Sequence, residues 1–210
     1  MISERLKMIA NMVSKGLIVA DIGSDHALLP CYLILNQISH KTYAIDNKKG
    51  PLQRAKLNIE KYELQDKVFE ILDDGLNNLP RDVQSVVIAG MGEKTIETIL
   101  LNDLARAKGL DEIIFQSNTD WPEFRMFLKK HGFSIIDEKF LSLNKQDNLF
   151  VKARYTEISN IENIVVGDLL IMDDAYLNYL ENELQKYEDI LQFNPKLKFK
   201  IDVIKNVLNK

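Results

Sequence analysis

Val19-Ala20-Asp21-Ile22-Gly23-Ser24-Asp25-His26-Ala27-Leu28-Leu29-Pro30 is the stretch whose reading decides the fold of this chain. Leu17 to Ile22 is almost wholly apolar and stops at Gly23, the pattern of a strand buried on both faces of a parallel sheet. The turn that follows is acidic. It passes into a helical segment that accepts Pro30 only within its first turn, where a missing N–H costs nothing. The unit is therefore a strand, a turn able to carry a ligand, and a helix.

Outward from this unit the same alternation recurs. Upstream, Ser3 to Val13 places Leu6, Ile9, Ala10 and Val13 on one helical face, with Ser3 as N-cap and Gly16 past the end. Downstream, Thr42 to Asp46 reads as a second strand, and Gly50 to Tyr62 as a helix through Leu52, Ala55, Leu57 and Ile59. Lys67 to Leu72 is a third strand running into Asp73-Asp74-Gly75, and Val83 to Ala89 a fourth running into Gly90-Met91-Gly92. Thr95 to Ala107 reads as one helix, Ile113 to Gln116 as a fifth strand, and Trp121 to Lys130 as a further helix. Such alternation predicts a doubly wound, mostly parallel sheet whose ligands sit beyond the carboxyl ends of the strands. Phe133 to Leu143 and Leu149 to Tyr155, joined by the polar loop Asn144 to Asn148, have no helix between them. They are expected to pair as an antiparallel hairpin at the sheet edge.

Beyond Glu157 the periodicity changes. Leu177, Leu180, Leu184, Tyr187 and Leu191 follow in steps of 3, 4, 3 and 4, and after Asn194-Pro195 the spacing resumes at Leu197, Ile201, Ile204 and Leu208. This predicts an antiparallel, coiled-coil-like helical hairpin. The expected division is residues 1–156 as the α/β domain and 157–210 as the appended hairpin. Lys196, Lys198, Lys200, Lys205 and Lys210 give its end a basic character on an acidic protein.

The net charge of −4 argues against a protein that coats nucleic acid by bulk charge, while leaving room for a local basic surface. Arg5, Lys48, Lys49 and Arg54 could form another. The single cysteine, Cys31, leaves no disulfide framework or cysteine-based metal site, and reads as a small buried residue. With no secretory leader and no long apolar run, a cytoplasmic protein without membrane or metal is expected. The helical seam can close within one chain or between chains; a monomer is the working expectation.

The strand-terminal residues carry the chemistry. Asp46 follows Asp21 by 25 positions, close to the spacing at which a carboxylate accepts the ribose hydroxyls of an adenosine cofactor. Asp74 could accept the exocyclic amine of adenine, Gly75 leaves room for the ring, and Gly90 lets backbone approach the reactive end. A dinucleotide is the poorer match, because Asp25 would repel a pyrophosphate. A phosphate-free sulfonium suits the turn better. Asp21, Gly23, Ser24, Asp46, Asn47, Asp74, Gly75, Ala89, Gly90 and Met91 are accordingly expected to hold S-adenosylmethionine. Asp25 and His26 serve either as a helix cap and a hydrogen-bonding residue or as groups acting on the substrate.

The Asp21-Ile22-Gly23-Ser24-Asp25-His26-Ala27-x-Leu29-Pro30 turn, Asp74-Gly75-Leu76 and Ile88-Ala89-Gly90-Met91-Gly92 resemble the bacterial tRNA adenine-N1 methyltransferases of the TrmK family. The resemblance runs the length of the chain. It implies a class I methyltransferase domain joined to a C-terminal coiled-coil hairpin, transfer of a methyl group to N1 of the adenosine at tRNA position 22, and S-adenosylhomocysteine as product. It also implies catalytic work for Asp25 and His26, with Arg5 and the C-terminal lysines on RNA. The chain departs from the family pattern at Glu93, where a second glycine is common, at Gln116-Ser117-Asn118 in place of Gln-Pro-Asn, and around Asn148-Leu149-Phe150, where a Tyr-Glu pair is missing. Methyl transfer to another RNA or a small molecule is one alternative, and a catalytically weakened cofactor-binding adaptor is another.

Overall fold

β-Branched and aromatic runs with side chains pointing alternately to two apolar faces build the centre of one sheet. A computed structural model describes residues 2–117, 121–143, 146–170 and 173–209. Its strands are β1 (Val19–Ile22), β2 (Thr42–Asp46), β3 (Val68–Leu72), β4 (Ser85–Met91), β5 (Glu112–Ser117), β6 (Phe133–Leu143) and β7 (Gln146–Tyr155). The helices are α1 (Glu4–Met12), α2 (Leu28–Leu35), α3 (Lys49–Lys61), α4 (Glu93–Asn102), α5 (Leu104–Lys108), α6 (Trp121–Lys130), α7 (Asp174–Ile190) and α8 (Leu197–Leu208).

The strand order is β3-β2-β1-β4-β5-β7-β6. β1 to β5 are parallel, and β7 runs antiparallel between β5 and β6. The order reverses between β1 and β4, where a cleft forms because the connections leave in opposite directions. Along β4 and β5 the faces alternate as a two-sided core requires: Val86, Ile88, Ile113 and Phe115 pack with α4 and α6, whereas Val87 and Ile114 pack with Ile9, Leu29 and Leu33 of α1 and α2. This is the fold class expected from the alternation, with the antiparallel hairpin at one edge.

Several local expectations change. Thr95 to Ala107 is not one helix. Asp103 leaves the helical conformation (φ −142°) and its carboxylate accepts from Arg106 N at 3.0 Å, so it caps α5 and separates it from α4. Leu57 lies outside the apolar face of α3 and is 66% exposed, because Leu52, Ala55 and Ile59, spaced 3 and 4 apart, define the buried stripe and Leu57 falls across the helix from it. β7 starts at Gln146 rather than Leu149, since the backbone of Gln146 pairs with Leu143 whatever the polarity of its side chain. Asn118, Asn144 and Lys210 lie outside the described residues.

The segment after β7 returns to the sheet. Asn160 accepts from Ile135 N and donates to Ile135 O, at 2.9 and 2.8 Å. The fully buried Arg125 of α6 pairs with the buried Glu138 of β6 at 2.9 Å and donates to the carbonyls of Ile164 and Val165. Ile161, Val166, Leu170, Tyr176, Leu180 and Ile204 share one buried cluster with Trp121, Phe133 and Phe140. Leu177 and Glu181 of α7 and Phe199, Lys200, Val203, Val207 and Leu208 of α8 line a common groove, and Lys205 of α8 pairs with Glu188 of α7. No helix among the described residues is long and apolar enough to cross a membrane.

Candidate active site

The turn after β1 is held in a conformation that most side chains avoid. Gly23 has φ +76°, the left-handed conformation that favours glycine, and a Cβ there would stand 2.3 Å from Met91 Cε, so the end of that side chain would have to move. His26 and Ala27 are also left-handed, at φ +66° and +50°, each at a cost of about 1–2 kcal/mol. Contacts from α3 hold them there. Asn58 Nδ2 donates to His26 O at 2.8 Å, and Arg54 donates to Asp25 Oδ1 through Nη2 at 2.7 Å and Nε at 3.1 Å. The result splays the Asp25 side chain toward the strand ends, with its second oxygen 3.6 Å from His26 Nε2.

A cleft of about 600 Å³ opens there, within the size range of small-molecule sites. Of the residues expected from sequence, Gly23, Asp25, Asp46, Asn47, Asp74, Gly75 and Met91 line it. The two acids after β3 divide their work. Asp73 is consumed locally, accepting from Asn78 N at 2.8 Å and Asn78 Nδ2 at 3.0 Å, while Asp74 faces the cleft and receives a bond from Asn47 Nδ2 at 3.2 Å. Asp46 accepts from Lys48 N at 2.8 Å, which fixes its rotamer at the rim.

Asp21, Ser24, Ala89 and Gly90 stand behind this lining. Burial raises the Asp21 carboxyl to about 7, against the opposing pull of the Ser24 hydroxyl and the Arg5 charge. Ser24 is buried beside the Asp21 carboxyl, the group its hydroxyl acts on. Ala89 packs against the α1–α2 core. The structure places Arg5 away from any peripheral basic surface: its Nη1 donates to Gln116 Oε1 at 2.7 Å, and the same oxygen accepts from Gly90 N at 2.9 Å. Gln116 Nε2 in turn donates to Asn148 Oδ1 at 3.3 Å. His26 does not line the cleft but flanks Asp25. Lys196, Lys198 and Lys200, at the start of α8, do not line the cleft, and Lys200 lines the separate groove between α6, residues 162–168 and the helical pair.

Residues that the sequence did not single out for this site are Lys94, Thr95, Thr98 and Asn102 of α4. Their spacing marks the polar face of an amphipathic helix, which could have pointed to them. Glu93, only 6% exposed, begins α4 and pairs with Lys94 at 3.0 Å; a carboxylate suits a helix N-terminus. No group of three or more His, Cys, Asp or Glu side chains among the described residues could hold a metal ion.

The donors and acceptors fit an adenosyl group: two rim carboxylates, Asp46 and Asp74, that have no ion pair among the described residues, and glycines at the strand ends. The switch-point cleft and the inserted antiparallel strand define a methyltransferase domain, and the methyltransferase-domain family model matches residues 2–150. The chain is 31% identical over 201 residues to the tRNA (adenine(22)-N(1))-methyltransferase of Bacillus subtilis, covering 91% of this chain and 84% of the relative. Among solved structures it resembles Streptococcus pneumoniae Sp1610 in complex with S-adenosyl-L-methionine, with TM-score 0.89, 31% identity and coverage of 99% and 100%. It also resembles M. capricolum TrmK in complex with S-adenosyl-homocysteine, with TM-score 0.82, 30% identity and coverage of 100% and 95%. The chain belongs to the tRNA (adenine(22)-N(1))-methyltransferase family.

Proposed function

We propose that the protein transfers a methyl group from S-adenosylmethionine to N1 of the adenosine at position 22 of tRNA. The observation that carries this is the cleft at the β1–β4 switch point, where Asp25, Asp46 and Asp74 converge from three consecutive strand ends. When bound, the cofactor supplies a methyl group made electrophilic by its sulfonium.

Asp46 is suited to accept two ribose hydroxyls, and Asp74 to accept the adenine amine, with Asn47 holding its other side. Asp21 and Ser24, buried behind the lining, would serve the amino-acid end of the cofactor. Adenine N1 is unprotonated at neutral pH, so the protein need not create the nucleophile. Its task is to place the base and to offset the positive charge that alkylation puts on it. Asp25 is the carboxylate placed for this. Arg54 fixes its direction, and His26 beside it can orient the base or take up a proton. The base must leave the tRNA stack to enter the cleft. Residues 157–210 then act as the appended unit that holds the tRNA body. A monomer in the cytoplasm completes this reading.

Incubation with S-adenosylmethionine and unmodified tRNA transcripts, followed by reverse transcription, tests it. A stop at position 22 that disappears when that adenosine is replaced is the expected outcome; stops elsewhere, or none, refute the assignment. Asp25→Asn should lower turnover about 100-fold or more while S-adenosylhomocysteine affinity stays within a few-fold, as single-turnover kinetics and calorimetry would measure. Full turnover in this variant removes Asp25 from the mechanism.

A further inference from the structure

The groove between α6, residues 162–168 and the α7–α8 pair has a volume of about 1080 Å³ and shares no lining residue with the cofactor cleft. One side of it is a second apolar stripe on α8. Ile201 and Ile204 are the buried residues of that helix, yet Phe199, Val203 and Val207, four apart, give it a further apolar face that lines the groove. A helix packed on one side needs only one such stripe. Phe199 is 68% exposed, and Met126 of α6, which also lines the groove, is 49% exposed although Phe124, Phe127 and Leu128 of the same helix are buried. Apolar surface of this kind, rimmed by polar groups, marks an interaction site.

The loop that forms the third wall is tied down. The Asp168 carboxylate accepts from Glu162 N at 2.9 Å and Asn163 N at 3.0 Å, Asn163 Oδ1 accepts from Val166 N at 3.2 Å, and the carbonyls of Ile164 and Val165 accept from Arg125. An occupant therefore meets a preformed wall and pays little to order it.

Charge selects the occupant. Glu123 of α6, Glu162 of the loop and Glu181 of α7 line the groove, are exposed, and have no ion pair or side-chain hydrogen bond among the described residues. Lys200 is the one cation among the described lining residues. Three unpaired carboxylates repel RNA phosphates, and a second copy docked groove to groove about a twofold axis would set these acids against their own kind. Carboxylates from three elements around an apolar floor suit a helix whose apolar face is flanked by lysines or arginines.

We propose that this groove is the docking site for a basic amphipathic helix of a protein partner, with its apolar residues against Met126 and Phe199 and its cations on Glu123, Glu162 and Glu181. The inference is independent of the substrate reading above.

Fluorescence anisotropy of the full chain with a labelled amphipathic leucine–lysine peptide of about four helical turns makes the test. The protein should bind this peptide about tenfold or more tightly than an isomer of scrambled sequence, and more weakly as salt rises. Glu123→Gln/Glu162→Gln/Glu181→Gln should weaken binding about tenfold. Glu60→Gln/Glu63→Gln/Asp66→Asn, which removes as much charge from the end of α3 and the turn after it, should leave binding unchanged. Met126→Ala/Phe199→Ala, at two exposed positions, should weaken it about tenfold. Every variant should bind S-adenosylhomocysteine like the wild type. Equal binding of the scrambled isomer, or equal loss in the two charge variants, overturns the docking site. A Met126→Ala/Phe199→Ala variant that loses affinity for unmodified tRNA would assign the groove to RNA instead, and a wild-type dimer that this variant dissociates would assign it to a second copy; either overturns the proposal.

Discussion

Asp21 holds an acid in surroundings that disfavour its charge. Burial lifts its pKa from 3.8 to about 7, so between those values the folded protein keeps a proton that the unfolded chain has lost. Stability from this residue is therefore present at low pH and declines as pH rises from about 4 to about 7. Asp21→Asn should remove the decline. In thermal melts of the free protein the variant should exceed the wild type at pH 8 by on the order of a few kcal/mol, and should lose the advantage near pH 4. The same substitution should weaken S-adenosylhomocysteine binding.

At the level of elements, the attachment of the C-terminal segment depends on a buried ion pair. Arg125 on α6 and Glu138 on β6 are both closed to solvent, and Arg125 also holds the carbonyls of Ile164 and Val165. The guanidinium is kept charged because the Glu138 carboxylate and the Tyr176 hydroxyl offset the cost of its burial. Gly167 passes so close that a Cβ there would lie 2.6 Å from both Arg125 Nη2 and Glu138 Oε2. Arg125→Met should cost about 3–5 kcal/mol in urea unfolding, because it strands the Glu138 charge, and Arg125→Met/Glu138→Leu should recover much of that loss. Equal destabilisation in the single and double variants would show that packing, not charge, dominates.

The whole molecule has one continuous apolar core on the α4–α6 face of the sheet. Tyr176, Tyr179, Trp121 and Phe140 interlock at its edge, with ring centroids 5.3 to 6.2 Å apart. Removing residues 157–210 would expose Phe133, Phe140 and Trp121 and orphan Arg125. The truncated chain is expected to melt at clearly lower urea concentration than the full chain, or to aggregate, as far-UV circular dichroism and sedimentation would record. A truncated chain as stable as the full protein would establish 1–156 as self-sufficient.

The strand and helix alternation, the two-sided strands and the acids and glycines at the strand ends were legible in the sequence, because side-chain periodicity and backbone chirality act over a few residues. The match of Asp25, Asp46 and Asp74 to one cleft followed from the rule that parallel strands bring their carboxyl ends together. The α4–α5 break was not legible, since the apolar spacing runs on across Asp103 from Leu100 to Leu104 and its cap depends on backbone geometry. Nor was the clamp of Arg54 on Asp25, nor the reach of Arg5 from α1 to Gln116, because each joins residues distant in sequence through the packing of helices on the sheet. The sequence by itself determined the fold class and the kind of site. Tertiary structure alone decided which charged groups meet, because long side chains find their partners only after the elements that carry them have docked.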